Sequence, residues 1–532
     1  MKKKEMVQET SIQTENCYFK CQCKINGTTM LNEFLAGFTT FLILSFSYYQ
    51  SSTILVNALN ISGEHIPGII TIMLLFSAFL SILAGIYIKK PLIYSISTGL
   101  TVFLTAETFA HYHMGISAGF GLLLLEGIVF LILAFTGVPK IIVEHAPTWI
   151  RKGSPAFLGS LLILFAIHTS GFITISSDTP FLAQTIRTPS LFLFLFGTLL
   201  TLILHYTKTK NAFLLSILIT LFFGMILSKN PANPTFPMSW LILVGYIAGW
   251  LMLFSILHDK KVKYALEKSL WILVAFLFGG ILLYTNSYSI LLRPDQWLGN
   301  QGVVALPTLE LLPIFGGSPV GTIPMFFNQI GTFWAPFISF LLLHLTLFVC
   351  LFFTMENFLS TNKDSNEVSP LFSKMMITEG MASLFTGNSS LASLQSSSSS
   401  PIALLLGAKT GVSSIFFGIT SIFGIFFIPL LSYVFLPIAF CPALLSAGIV
   451  LIVRTFETSG TFSIDELLPI LTILSLTLIT NDLVQSILIG LLLYAAIGSF
   501  QKKQIPFGMW IFIIVLFVFE FFRIVIPYFS IS

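Results

Sequence analysis

Charge is what this sequence has least of. Lys, Arg, Asp and Glu make up 9% of its 532 residues, against about a quarter in soluble domains. Apolar residues make up 55%, and the mean hydropathy is +0.93. A soluble globular chain is excluded. The basic excess is small, 26 Lys and Arg against 22 Asp and Glu, so nucleic acid is not an expected partner. Cysteine is scarce as well. Of five, Cys17, Cys21 and Cys23 form a C-x3-C-x-C cluster. A zinc site usually needs a fourth ligand and a closed fold around it, so no metal is expected there. Cys350 and Cys441 sit inside apolar runs and read as packing residues. Residues 1–27 are polar, and no short apolar core with a small-residue cleavage site follows, so no removable signal peptide is expected. GAKTG at 407–411 looks like the end of a phosphate-binding loop, but the G-x-x-x-x-G-K-S/T spacing is missing. That excludes nucleotide hydrolysis as a power source. No cofactor is expected, and energy for any transport must come from an ion or solute gradient.

What the sequence has in abundance is long apolar runs. Stretches of about 20 residues, enough to cross ~30 Å of hydrocarbon as a helix, lie near 34–56, 67–88, 118–138, 155–175, 190–206, 212–228, 239–257, 268–286, 333–354, 412–434, 436–454 and 508–528. Shorter or interrupted stretches at 92–106, 370–386, 394–409, 465–480 and 483–500 bring the expected total to about fourteen to seventeen spans. The chain reads as an all-α polytopic membrane protein, with lipid around it. Basic residues cluster in alternate loops: Lys2 to Lys4, Lys89 and Lys90, Lys140 with Arg151 and Lys152, Lys208 and Lys210, then Lys260 to Lys263. By the positive-inside rule the N-terminus is cytoplasmic, and the membrane is read as a bacterial inner membrane.

Spans that are apolar all round say only "membrane"; two segments break the rule. LIYSISTGLTVFLTA (92–106) is interrupted by Ser95, Ser97, Thr98, Gly99 and Thr101. Residues 388–411 carry Asn388, Gln395, Ser396 to Ser400 and Pro401. One lies early in the first half and the other at a similar place in the second, the pattern of a transporter built from inverted repeats. Irregular backbone at membrane depth must be buried in protein or line a watery cavity. The serine hydroxyls can replace lost helix bonds, and Pro401 suits the first turn of a half-helix resuming through Ile402 to Leu406. Freed N–H groups there would point at a polar or anionic substrate atom.

LNEFLAGFTTFLIL (31–44), LLLLEGIVFLILAFTGVPKIIVEHAP (122–147), KNAFLLSILI (210–219), GAKTG (407–411), LPIAFCPALLSAGIVLI (436–452) and IDELLPILTI (464–473) follow in order. Together they resemble the AzgA-like branch of the nucleobase:cation symporter-2 family, the guanine, hypoxanthine and adenine permeases. The match is scattered over about 31–228 and 300–500, and EGIVF and EFLAGFTTF are its most specific pieces. The resemblance implies seven plus seven inverted spans divided into core and gate domains. Substrate would lie between the broken third and tenth spans, with an acidic residue of the eighth, and proton coupling is usual. Carried over, the third-span motif falls on Ser95 to Phe103, giving Ser97, Thr98, Gly99 and Thr101 as substrate-binding residues. The eighth-span aspartate falls on Glu356, expected to bind substrate and carry the coupling proton. The tenth-span motif falls on 388–411, giving Gln395, Ser396, Ser397, Ser398 and Ser399 as substrate-binding residues.

The sequence departs from that pattern twice. The tenth-span glutamate lands among serines, which removes an acceptor for purine N–H groups, and no carboxylate lies between Glu379 and Glu457. The segments 239–257 and 268–286 look inserted between the repeats, and 508–528 looks like a further addition, so two or three extra spans are expected. The divisions are a tail (1–30), a first repeat (31–230), an inserted pair (231–300), a second repeat (301–505) and a C-terminal segment (506–532). Glu126 is deep in its span and reads as a structural group paired with a hydroxyl or lysine. Glu107, His111 and His113 form E-x3-H-x-H, which as a metal or acid/base site would make the chain a membrane-embedded enzyme; an ordinary polar loop is the plainer reading. The chain is therefore expected not to be an enzyme but a proton symporter for a purine nucleobase, the rival being a same-fold transporter of a pyrimidine or an anion. A homodimer stays open.

Overall fold

The computed structural model describes residues 18–111, 114–170, 173–176, 179–182, 188–227, 330–359, 365–389, 393–431, 436–458, 462–480, 482–501 and scattered positions between 509 and 521. The inserted pair at 239–257 and 268–286, the first seventeen residues and most of the 506–532 segment lie outside these.

Local sequence explains where the first elements begin and stop. After a short α1 (Tyr18–Ile25), Thr29 accepts the N–H of Asn32 at 3.2 Å and caps α2 (Met30–Ala58). Pro67, in the first turn of α3 (Ile66–Ile88), costs no helix bond there, and the helix ends at Lys89 in a left-handed conformation. The chain then runs extended into β1 (Ser95–Ile96), restarts as the six-residue α4 (Thr98–Phe103) and continues as a π-helical turn over Leu104–His111. There follow α5 (Ile116–Phe135), α6 (Val138–His145), α7 (Thr148–Thr169), a hairpin of β2 (Ile173–Ser176) and β3 (Thr179–Leu182), α8 (Thr188–Tyr206) and α9 (Ala212–Leu227). The second half holds α10 (Ile330–Leu359), α11 (Ser365–Asn388), β4 (Leu394–Gln395), α12 (Ser400–Leu405), α13 (Val412–Gly424), α14 (Ile428–Leu431), α15 (Leu436–Thr458), α16 (Ile464–Thr480) and α17 (Leu483–Phe500).

Among the described residues, seven helices are long and apolar enough to cross a membrane, within α2, α3, α5, α7, α10, α15 and α17, and shorter apolar helices occur within α8, α9 and α13. The polytopic reading holds. The all-α reading misses two short antiparallel ladders, β2–β3 and, across the two halves, β1–β4. The second arises because the broken segments need backbone partners that lipid cannot supply.

The long helices pack in pairs: α7 on α15, α5 on α11, α3 on α13, α8 on α9 and α16 on α17, with α2 also touching α15 and α10 touching α7. Small residues set two of these crossings. Gly127 of α5 meets Gly380 of α11, and Gly85 of α3 meets Gly411 at the start of α13, each backbone against backbone. Close approach of this kind supplies dispersion contacts where the hydrophobic effect between helices is absent. A Cβ at Gly127 would lie 2.7 Å from the Gly380 carbonyl oxygen, which cannot swing aside as a side chain can. Gly127→Ala should therefore destabilise the folded protein by about 1–3 kcal/mol, read as a lower melting midpoint in detergent. Gly137→Ala, at an exposed position with nothing within 4 Å, should leave the midpoint unchanged.

Candidate functional site

The two broken segments meet. Ser95 pairs with Gln395 and Ile96 with Leu394, antiparallel, and the Ser97 N–H donates to the Ser393 carbonyl at 3.0 Å. From this ladder the two half-helices α4 and α12 leave. Ser97 caps α4 by accepting the Leu100 N–H at 3.2 Å, and it also accepts the Gln395 side-chain amide, so one hydroxyl ties both segments together.

A cavity of about 510 Å³ opens on this ladder. Its polar floor is Ser97, Thr98, Gly99, Gln395, Ser397 and Ser398. Leu158, Leu162 and Phe165 of α7 and Leu343 and Leu347 of α10 form apolar walls, while His168, Ser339 and Asp482 add polar groups. Asp482 is committed to capping α17, accepting the N–H groups of Val484 and Gln485 at 2.9 and 3.1 Å. The buried Gln395 leaves its carbonyl oxygen without a partner, as does the Ser398 hydroxyl. An unpaired buried acceptor is costly unless a ligand or water supplies a donor.

The serine run divides its labour. Ser397 and Ser398 face the cavity; Ser396, Ser399 and Ser400 hold the frame. The Ser399 hydroxyl donates to the Ile93 carbonyl at 2.5 Å, and Ser400 accepts the Ile93 N–H at 2.9 Å, so the two hydroxyls replace the bonds that Ile93 loses where the helix is broken. Ser396 gives its N–H and hydroxyl to Glu379, at 3.1 and 2.7 Å. Thr101 is turned back on its own half-helix, donating to the Ser97 carbonyl at 2.8 Å, and does not line the cavity.

Glu356 stands apart from this group. On α10 the cavity is lined by Ser339, Leu343 and Leu347; Glu356 lies nine residues beyond Leu347, roughly 13 Å along the helix. It is part-exposed, beside Asn357, whose side chain donates to the Arg151 carbonyl. The cavity floor and the expected proton carrier are thus at different depths. The backbone of Glu107 and His111 lies on the π-helical turn, and His113 is outside the described residues. Among the described residues no three such side chains are arranged to hold a metal ion. Burial and the nearby Glu33 carboxylate push the Cys23 thiol up.

Two groups escaped the sequence reading. His344, fully buried on α10, contacts Glu126 of α5 at 2.7 Å through Nδ1 and Glu379 of α11 at 3.0 Å through Nε2. Glu126 therefore pairs with a histidine, a partner that the sequence reading does not name. The signal was available as an Glu-Gly dipeptide repeated at Glu126-Gly127 and Glu379-Gly380, whose glycines make the α5–α11 crossing. The second is Glu33 in EFLAGFTTF. Fully buried, it accepts the N–H groups of Lys409 and Thr410 at 2.9 and 3.4 Å, so two blocks of the family resemblance, EFLAGFTTF and GAKTG, are bonded to each other.

These features define a multi-pass membrane protein whose cavity lies where two interrupted spans cross. Comparison with known proteins narrows this. The chain is similar to the guanine/hypoxanthine permease PbuG of Bacillus subtilis, 23% identical over 239 residues covering 41% of this chain and 53% of that one. It is similar also to the adenine permease AdeP of Escherichia coli, 24% identical over 224 residues covering 42% and 49%. The matches span about half the length of these curated relatives, and the chain resembles a divergent nucleobase-permease branch. No family model matches. Among solved structures, the transmembrane domain of the cyanobacterium bicarbonate transporter BicA aligns over 88% of this chain and 97% of that one, at 12% identity and a TM-score of 0.43.

The division within the serine run is testable by stability alone. Ser400→Ala strands the Ile93 N–H and should cost about 1–3 kcal/mol, lowering the melting midpoint in detergent; Ser399→Ala leaves the Ile93 carbonyl only the longer Ser400 hydroxyl contact, at 3.4 Å, and should lower it less. Ser398→Ala, which breaks no bond among the described residues, should leave the midpoint in place.

Proposed function

We propose that this protein is a secondary transporter that imports a purine nucleobase, of the guanine, hypoxanthine or adenine type, by proton symport. The observation that carries the reading is the meeting of two broken segments, one from each half, on the floor of a polar-based cavity. A carrier needs such a site at the junction of its moving parts, because interrupted backbone can present polar groups at membrane depth where intact helices cannot.

The packing supports a fold of seven plus seven inverted spans, with repeats over 31–230 and 301–505. The first seven are α2, α3, the β1–α4 segment, α5, α7, α8 and α9; the second are α10, α11, the β4–α12 segment, α13, α15, α16 and α17. A shift of seven turns the α3–α13 contact into α11–α5, the α8–α9 contact into α16–α17 and the α2–α15 contact into α10–α7. The β1–β4 and α7–α15 pairs map onto themselves.

The site chemistry suits a neutral heterocycle. The free carbonyl oxygen of Gln395 takes a ring N–H, the hydroxyls of Ser97, Thr98, Ser397 and Ser398 meet ring nitrogens and exocyclic groups, and Phe103, Phe165, Leu343 and Leu347 cover the flat faces. Ser396, Ser399 and Thr101 act as positioning residues behind them. The two relatives described above are permeases of purines, which favours transport over catalysis. One observation favours a second reading, a same-fold carrier of a pyrimidine or an anion: the tenth-segment part of the floor carries an amide and hydroxyls and no carboxylate.

Uptake of radiolabelled hypoxanthine, guanine, adenine and uracil, in cells lacking their own nucleobase permeases and with or without a protonophore, decides between them. Protonophore-sensitive uptake of a purine, abolished by Ser397→Leu and Ser398→Leu, is the expected result. Transport of uracil alone selects the second reading, and no uptake of any base from protein that reaches the membrane rejects a nucleobase carrier.

A further inference from the structure

The broken segments bring no carboxylate to the cavity floor, and Asp482 at its edge is engaged in capping α17, yet directly behind the cavity wall stands a cluster able to hold a coupling proton. Ser339, Leu343 and Leu347 of α10 face the cavity, and His344 faces away from it. There its two ring nitrogens meet one oxygen each of Glu126 and Glu379, at 2.7 and 3.0 Å, and all three side chains are fully buried. Phe130 and Phe340 pack on the imidazole, with ring centroids 5.0 and 6.4 Å away. Among the described residues, no lysine or arginine pairs with any of the three. Among the described residues Tyr94, next to β1, also reaches the cluster: its hydroxyl donates to Thr378 at 2.8 Å and lies against Glu379.

Counting protons gives the cluster its character. Each nitrogen–oxygen contact must contain a proton, so two contacts need two protons among the three groups. The imidazole supplies both as a cation, or it supplies one and a carboxyl supplies the other. Either way two carboxylates and one histidine holding two protons carry a net charge of −1. A third proton brings the charge to zero. It has a place: Glu126 Oε2 is buried without a hydrogen-bond partner, as is the hydroxyl of Ser383, one turn beyond Glu379 on α11. An unbalanced charge with no counter-ion is expensive at this depth, so taking up the third proton is favoured whenever the cluster is in contact with acid.

The charge has a route to the cavity. Both oxygens of Glu379 hold Ser396, through its N–H at 3.1 Å and its hydroxyl at 2.7 Å. Ser396 stands between Gln395 and Ser397, which both line the floor. An anionic Glu379 grips these donors more strongly than one whose charge is drawn off by a fully protonated cluster.

We propose that Glu126, His344 and Glu379 form the coupling-proton site of this carrier, and that its charge reaches the substrate floor through Ser396. The transport half of this statement rests on the function proposed above; the proton site itself does not. Infrared difference spectra of the purified full-length chain, titrated with acid in heavy and light water, read the protonated-carboxyl band directly and need no substrate. The wild type should show one buried carboxyl gaining a proton on acidification, and Glu126→Gln should lack it. Ser383→Ala, a smaller change, should keep the band and shift its frequency. The same band, unmoved, in both variants overturns the site.

A second measurement tests the coupling. Hypoxanthine binding to the wild type should change with pH by up to about tenfold per unit, the limit for one linked proton, and Ser396→Ala should flatten that dependence while leaving the infrared band. A pH dependence unaltered by Ser396→Ala overturns the route. If hypoxanthine fails to bind the wild type at every pH, the nucleobase reading falls, and the infrared result still decides the proton site.

Discussion

Hydrocarbon offers no hydrogen bond to a polypeptide backbone, and the site described here exists because two interruptions in the helical ladder satisfy one another. Ser95 and Ile96 in one half pair with Gln395 and Leu394 in the other, and where the pairing stops, the hydroxyls of Ser399 and Ser400 take over the exposed groups of Ile93. Everything polar on the cavity floor depends on this arrangement. Had either segment been a continuous helix, its N–H and C=O groups would have been consumed internally, and α4 and α12 would have no free starts near the site.

Around that floor, small residues and buried charges act together. The Gly127–Gly380 crossing draws α5 and α11 close enough for the neighbouring carboxylates, Glu126 and Glu379, to grip opposite sides of His344. At the other end of the broken segment, Glu33 clamps the loop that follows α12. Both ends of the β4–α12 segment are thus held by carboxylates from other helices, one through Ser396 and one through Lys409 and Thr410. Its position is fixed by charge-assisted bonds at each end and by apolar packing between.

Much of this was legible. Apolar run length and the placement of Lys and Arg reveal a polytopic membrane chain, and Ser, Gly and Pro inside short spans mark both breaks to within a few residues. The half-helix restarting beside Pro401 begins at Ser400. The β1–β4 ladder was not legible, because two residues in each segment are too few to produce a strand period. Nor was the fate of each serine: five identical side chains in a row give no clue which point to the cavity and which to Ile93, since that depends on the turn of a backbone between strand and helix. Glu356 attracted attention through family position, but helix geometry carries it past the cavity. His344 reads in the sequence as one polar residue in LLLHLTLF, although an ionisable group inside a span needs a partner as firmly when it is an imidazole as when it is a carboxylate.

The ladder also sets a schedule. Ser95 and Gln395 are 300 positions apart, and at about 5–20 residues per second a ribosome needs roughly 15–60 s to make the intervening chain. Through that interval the first break sits in the bilayer without its partner. Its nearest groups are provided for: the Tyr94 N–H is taken by Ser81 at 2.9 Å, and the Tyr94 carbonyl by the hydroxyls of Ser77 and Ser81, all on the helix made just before. Two serines on α3 thus act as a temporary berth, holding an unfinished site in oily surroundings until the other half of the protein arrives to complete it.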